Sequence, residues 1–456
     1  MARRTLLCLV VLSLPFPVLA QEEDPPTVKA RVAEICERVE ALRGLEFKAD
    51  VQVGIMGTDE LREFMASELD REMPESEMEA ARLSMVALGL LPEGADLRDL
   101  LVSIYTSQVA GFYDPRTKRL YLIKGNGTDE ALLEALGKDE EVWIHELTHA
   151  LDDQHFDLQA LGEKVEEHDD ASLAGSMLCE GVATYTMFHE PLTTLPSGQG
   201  LDLTLEAMTA FLRFSEYSAN QAETESDPAI RRFKEFYMGA MIAPYREGLR
   251  FVRALTASGE SEWAAIDEAY RAKPPASTEQ ILHPEKYLAG ETPEEVDVPD
   301  LSKELGDGWR LVETNHMGEL QARLWLRLAH GQSAMDEGLQ SALSRVVGGR
   351  GGFLGEFYRE RVAARSPVEM AAGWAGDTYR VYAREGARPA IVWRTRWDGE
   401  RDAEEFLGGA NLARAFYTMG VDDPTYLEST GRTVDLAMGL PDEARDAVRE
   451  ALIASR

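Results

Sequence analysis

Apolar and polar positions change period along the chain, and each change marks an element. Residues 27 to 43 and 59 to 70 carry apolar side chains at helical spacing, while Phe47, Ala49, Val51, Val53 and Ile55 alternate as a half-buried strand does. Near residue 100 an apolar helix leads into Val109 to Tyr113, then Asp114-Pro115-Arg116-Thr117-Lys118, then Leu120 to Ile123. Two short apolar runs joined by an Asp-Pro turn predict a β-hairpin. From about 128 to 290 the period is helical, broken at Pro191 to Gly200 and at Lys273-Pro274-Pro275. Beyond it, the acidic stretch Glu291 to Asp300 with two prolines reads as a linker. The remainder alternates helices (317 to 329, 333 to 346, 401 to 417, 441 to 455) with strand-like pieces at Trp309 to Thr314, Thr378 to Ala383 and Ala390 to Arg396. The expected fold class is α+β: a strand-bearing front half and helical back half over 21–295, then a second α+β domain over 301–456.

Charge narrows the partners. With 47 Lys+Arg against 81 Asp+Glu the formal charge is −34, so neither nucleic acid nor an anionic membrane surface is an expected partner. Residues 1–20 read as a signal peptide: Arg3 and Arg4 precede the apolar run Leu6 to Val18, and small residues lead to a cleavage point after Ala20. That run is too short to span a bilayer, and no later segment reaches eighteen apolar residues, so a secreted or periplasmic protein without a membrane span is expected. Export permits disulfides, yet only Cys36 and Cys179 follow the leader; either they form one bridge or they are two buried thiols.

One segment carries chemistry. Glu141 to Leu151 contains His145-Glu146-Leu147-Thr148-His149, a His-Glu-x-x-His motif flanked by apolar residues at helical spacing. Residues four apart lie about 40° apart around an α-helix, so His145 and His149 can converge on one metal while Glu146 leans over an open coordination position. Zn2+ is the expected cofactor. Catalytic zinc has three protein ligands, and two positions compete for the third. His155 follows six residues after His149, but six residues of unbroken helix turn about 600°, onto the wrong face. Glu180 sits in an otherwise apolar helical run from Leu173 to Phe188, where a lone carboxylate needs a partner.

His-Glu-x-x-His followed by the downstream helical Glu180-Gly181-Val182-Ala183 resembles the gluzincin branch of the zincin metallopeptidases. The resemblance implies His145, His149 and Glu180 on zinc, Glu146 as general base, and a zincin-like domain around them. It covers residues 100 to 190 with any specificity. Thr184 stands where thermolysin-like enzymes carry an Asp four residues after the third ligand, so the groups behind the ligands differ. The strings His145 to Phe156 and Ser277 to Tyr287 are also similar to uncharacterised secreted bacterial proteins.

The expected reaction is peptide-bond hydrolysis by a zinc-activated water with a glutamate base, on a peptide or protein substrate. An oxyanion donor is also needed; His283 and Tyr287 are the first candidates and Tyr245 the next. An edge strand of the hairpin, Gln108 to Tyr113 or Leu120 to Ile123, is expected to pair with an extended substrate. Asp152, Asp153 and Asp157 either hydrogen-bond a ligating histidine or form the solvated end of the helix. His168 and His189 read as surface residues, His316 and His330 as structural ones, and the tryptophan pieces at 374 and 393 as core. Two rivals share the residues: a non-proteolytic zinc-containing binding or assembly module of the cell envelope, and a zinc amidase acting on a non-protein substrate.

Overall fold

The computed structural model describes residues 28–107, 111–124, 140–165, 168–194, 227–258, 263–330, 366–418 and 425–456. The expected signal peptide 1–20, residues 108–110 and the expected helix 333–346 lie outside them. Over the described residues the class is α+β, with two separate sheets among helices.

The first sheet has the order β1-β3-β2, built from β1 (Gln52–Gly57), β2 (Gly111–Asp114) and β3 (Arg119–Lys124). β2 and β3 form the expected hairpin, with Gly111 opposite Leu122 and Asp114 opposite Arg119. β1 runs parallel to β3 on its other side. The expectation that Leu120 to Ile123 offers a free edge is therefore overturned: β3 is paired on both flanks, and among the described residues the outer strands are β1 and β2. The strand expected from Phe47 begins only at Gln52, because the preceding backbone is bound to the motif helix, where Gln154 accepts from the amides of Lys48 and Ala49.

The motif helix, Glu140–Phe156, starts with two acids in its first turn, where the helix dipole favours them, and contains neither Gly nor Pro. Ile144, Leu147 and Leu151 pack against Val32, Ile35 and Val39 of the first helix (Val28–Arg43) and against Leu120 and Leu122 of β3. The helix stops where Asp157 turns to φ 55, its carboxylate accepting from the Ala160 amide at the start of the next helix. Behind it runs the helix Asp169–Met187, buried through nearly all its length, and across that runs the long helix Pro228–Ser258.

The second sheet is antiparallel, in the order β4-β5-β6-β8-β7, from β4 (Arg310–Asn315), β5 (Trp374–Ala383), β6 (Ala390–Trp397), β7 (Tyr426–Thr430) and β8 (Thr433–Met438). Trp374, Trp393 and Trp397 are buried, so these aromatics are core. One apolar cluster runs from Leu178 and Phe251 to Trp325, Trp393 and Phe406, so the core is continuous across residue 300. The acidic stretch 291–300 is no free tether: the Glu294 amide donates to the Ala375 carbonyl at 2.7 Å, and Val296 and Val298 are buried.

Candidate metal centre

His145 and His149 project from the motif helix, and Glu180 from the middle of the helix behind it, onto one point. Their donor atoms lie within 4.8 Å of one another. His145 Nε2 is 3.0 Å from Glu180 Oε2 and 3.2 Å from His149 Nε2, and His149 Nε2 is 3.5 Å from Glu180 Oε2. Bonds of about 2.0–2.1 Å at a tetrahedral centre put ligand atoms roughly 3.3 Å apart, so these separations are those of three donors around one ion. Two imidazoles and a carboxylate are also the donor chemistry that zinc takes.

Electrostatics without an ion describe the same convergence. Burial lowers the pKa of His145. Burial opposes charge on His149 too, yet the facing Glu180 carboxylate outweighs it and raises His149 to about 9. Glu180 is desolvated as well, but the two imidazoles bring it down to about 2. The pocket thus holds Glu180 as an anion and draws positive charge to the point between the three side chains.

Glu146 lies beside them, 1% exposed, and burial pushes its pKa up to about 8. Its two oxygens differ. Oε2 accepts from the Tyr113 amide at 2.7 Å, while Oε1 is buried with no hydrogen-bond partner. A lone buried carboxylate oxygen is costly unless something occupies the space it faces. Tyr113 belongs to β2, so this outer strand is fastened to Glu146 through its own backbone. Gly111 makes the approach possible: a Cβ there would stand 2.7 Å from the Trp143 ring and 2.9 Å from the Tyr121 carbonyl.

Asp153 holds the same strand. It accepts from the Tyr113 hydroxyl at 2.7 Å, from Lys118 Nζ and from the Leu158 amide. Asp152 accepts from Arg43 Nε at 2.9 Å, and Arg43 also reaches Asp267 at 2.9 Å. Both aspartates are buried, so the solvated-end reading fails for them; they are the anchor points of a hairpin and of the first helix. Nothing in the motif string alone distinguishes these acids, because Lys118, Tyr113 and Arg43, whose side chains bind them, lie 35 to 109 residues away.

The other expected residues fall elsewhere. His155 bonds through Nε2 to the Glu46 carbonyl at 2.8 Å and stays outside the cluster, as the helical turn angle requires. His283 Nε2 lies 3.0 Å from Glu319 and 3.2 Å from Arg323. Tyr287 donates to the Lys273 carbonyl at 2.7 Å. Both serve joints of the helical region, so neither contacts the cluster. The aromatic that does is Tyr245, whose ring stacks on His145 with centroids 5.6 Å apart and planes 26° apart. His168, expected at the surface, packs its ring on His316 at 3.9 Å. Cys36 and Cys179 are not joined by a disulfide.

A second acidic group, Glu279, Glu291 and Asp398, also converges. The ammonium of Lys286 stands among them at 2.6, 2.9 and 2.6 Å, so a cation of the chain already fills that place. No described helix is long and apolar enough to cross a membrane.

Among known proteins, residues 309–449 match a family described as Domain of unknown function (DUF8575). That span covers the second sheet and lies apart from the His145, His149 and Glu180 cluster. No curated protein and no solved structure matches the chain.

Proposed function

We propose that the chain is a secreted or periplasmic zinc-dependent endopeptidase, with His145, His149 and Glu180 as zinc ligands and Glu146 as general base. The observation that carries the proposal is the pairing of a three-donor cluster with a neighbouring carboxylate whose Oε1 is buried and unpartnered. A purely structural metal site has no use for that fourth residue. When bound, zinc supplies Lewis acidity, polarising a carbonyl and acidifying water.

The chain's own residues then have distinct tasks. Tyr113 N–H fixes Glu146 Oε2 and leaves Oε1 to take a proton from water and return it to the leaving amine. β2 is one of the two outer strands of its sheet among the described residues and is fastened to the base, so a peptide paired along it would arrive with its scissile bond beside Glu146. The strong negative charge disfavours polyanionic substrates.

The test is turnover of a quenched peptide library or casein by the purified protein and its Glu146→Gln variant. Activity abolished by Glu146→Gln with bound zinc retained supports the reading. Equal activity in the two proteins overturns it.

A further inference from the structure

Helix Pro228–Ser258 crosses helix Asp169–Met187 at a point one residue from Glu180. The crossing is closer than side chains allow. A Cβ on Gly181 would stand 2.4 Å from the backbone of Gly248, and a Cβ on Gly248 would stand 2.1 Å from the Met177 carbonyl. Only glycine at both positions brings the two backbones together. Tyr245 precedes Gly248 by three residues, hence on the same helix face. Its ring, 8% exposed, lies on the His145 imidazole. Pro244 removes the amide that would bond to the Ala240 carbonyl and so loosens the helix just before Tyr245.

We infer that Tyr245 is a positioning residue for the metal centre, its ring holding the His145 imidazole in the ligating orientation, and that the Gly181–Gly248 crossing exists to seat it there. The inference rests on the metal-centre reading. A ligating histidine confined only by its own helix keeps rotamer freedom that ion binding must remove. A flat aromatic on one face removes it beforehand. The surface that lies on His145 is the ring, which phenylalanine also presents.

The experiment measures zinc affinity by chelator competition on the full chain, with apo-protein melting and far-UV circular dichroism in parallel. Tyr245→Leu is expected to lose about 10- to 100-fold in affinity and Tyr245→Phe less than about threefold. Tyr417→Leu is the packing control: Tyr417 stacks on Trp325 in the same core, and the variant is expected to melt lower with unchanged affinity. Within one helix, Gly248→Ala is expected to weaken zinc binding. Gly239→Ala, whose added methyl meets the ends of the Leu324 and Arg327 side chains and no backbone atom among its nearest contacts, is expected to leave it intact. This pair tests the inference even if Tyr245→Leu does not fold. Wild-type affinity in Tyr245→Leu overturns the inference alone, as does an equal loss in Tyr245→Phe or in Tyr417→Leu. Absence of zinc binding by the wild-type chain overturns the metal-centre reading itself.

Discussion

Arg43→Met tests how the first helix is joined to the motif helix. The Arg43 side chain is fully buried, bonded at 2.9 Å to Asp152 and at 2.9 Å to Asp267, with its guanidinium 4.3 Å from the Trp263 ring centroid. Methionine keeps most of the apolar stem packing but leaves Asp152, itself 1% exposed, without the guanidinium that is its largest charge partner. Asp267 is partly exposed and has Arg271 at 3.5 Å, so it contributes little to the loss. Breaking a buried pair from one side costs about 3–5 kcal/mol, and the lost ring contact adds roughly 1 kcal/mol. The sign of the pH dependence follows from Asp152, whose pKa burial already raises and which loses its lowering partner in the variant. A carboxyl with a raised folded-state pKa costs stability above its unfolded value, and the cost fades as pH falls toward that value. The destabilisation is therefore largest near pH 8 and shrinks toward pH 4. Urea unfolding followed by circular dichroism at the two pH values measures it, and Arg43→Met/Asp152→Asn should recover more than half. A loss below about 1 kcal/mol, or one that does not change with pH, refutes the reasoning.

Two further predictions concern the buried acids and the imidazoles. Zinc binding requires neutral His149, whose pKa without metal is raised to about 9, so affinity should climb with pH from 6 to 9 and binding should release protons. Calorimetry in buffers of different ionisation enthalpy checks this, and pH-independent affinity counts against it. Burial raises Asp170 to about 8, while its Oδ1 accepts from the amide and hydroxyl of Thr278. Asp170→Asn keeps an acceptor there and removes a cost that grows with pH above the unfolded value, so its melting-temperature gain over wild type should be larger at pH 8 than at pH 5. A gain that falls with pH contradicts that sign.

The α+β class, the hairpin and most helices were legible because their periodicities are local. The β7–β8 hairpin was not anticipated, although Gly431-Arg432, with Gly431 at φ 58, is a two-residue turn between β7 (Tyr426–Thr430) and β8 (Thr433–Met438). The convergence of Glu180 on the histidines followed from one carboxylate in an apolar helix. His283 and Tyr287 did not, because a histidine before a proline looks the same whether it faces a metal or Glu319. Tyr245 was passed over as a first candidate since its position depends on a helix crossing set by Gly181 and Gly248, 67 residues apart. Neither of the two readings offered for Asp152 and Asp153 holds, for the same reason: burial of a charge at a helix end is decided by a distant partner such as Arg43.

The central claim is tested most directly by metal content of the wild-type chain and of Glu180→Ala, His155→Ala and Glu146→Gln. The account predicts one zinc per chain in wild type, His155→Ala and Glu146→Gln, its loss in Glu180→Ala, and no peptide turnover by Glu146→Gln. Zinc retained by Glu180→Ala but lost by His155→Ala, or turnover surviving in Glu146→Gln, would contradict it.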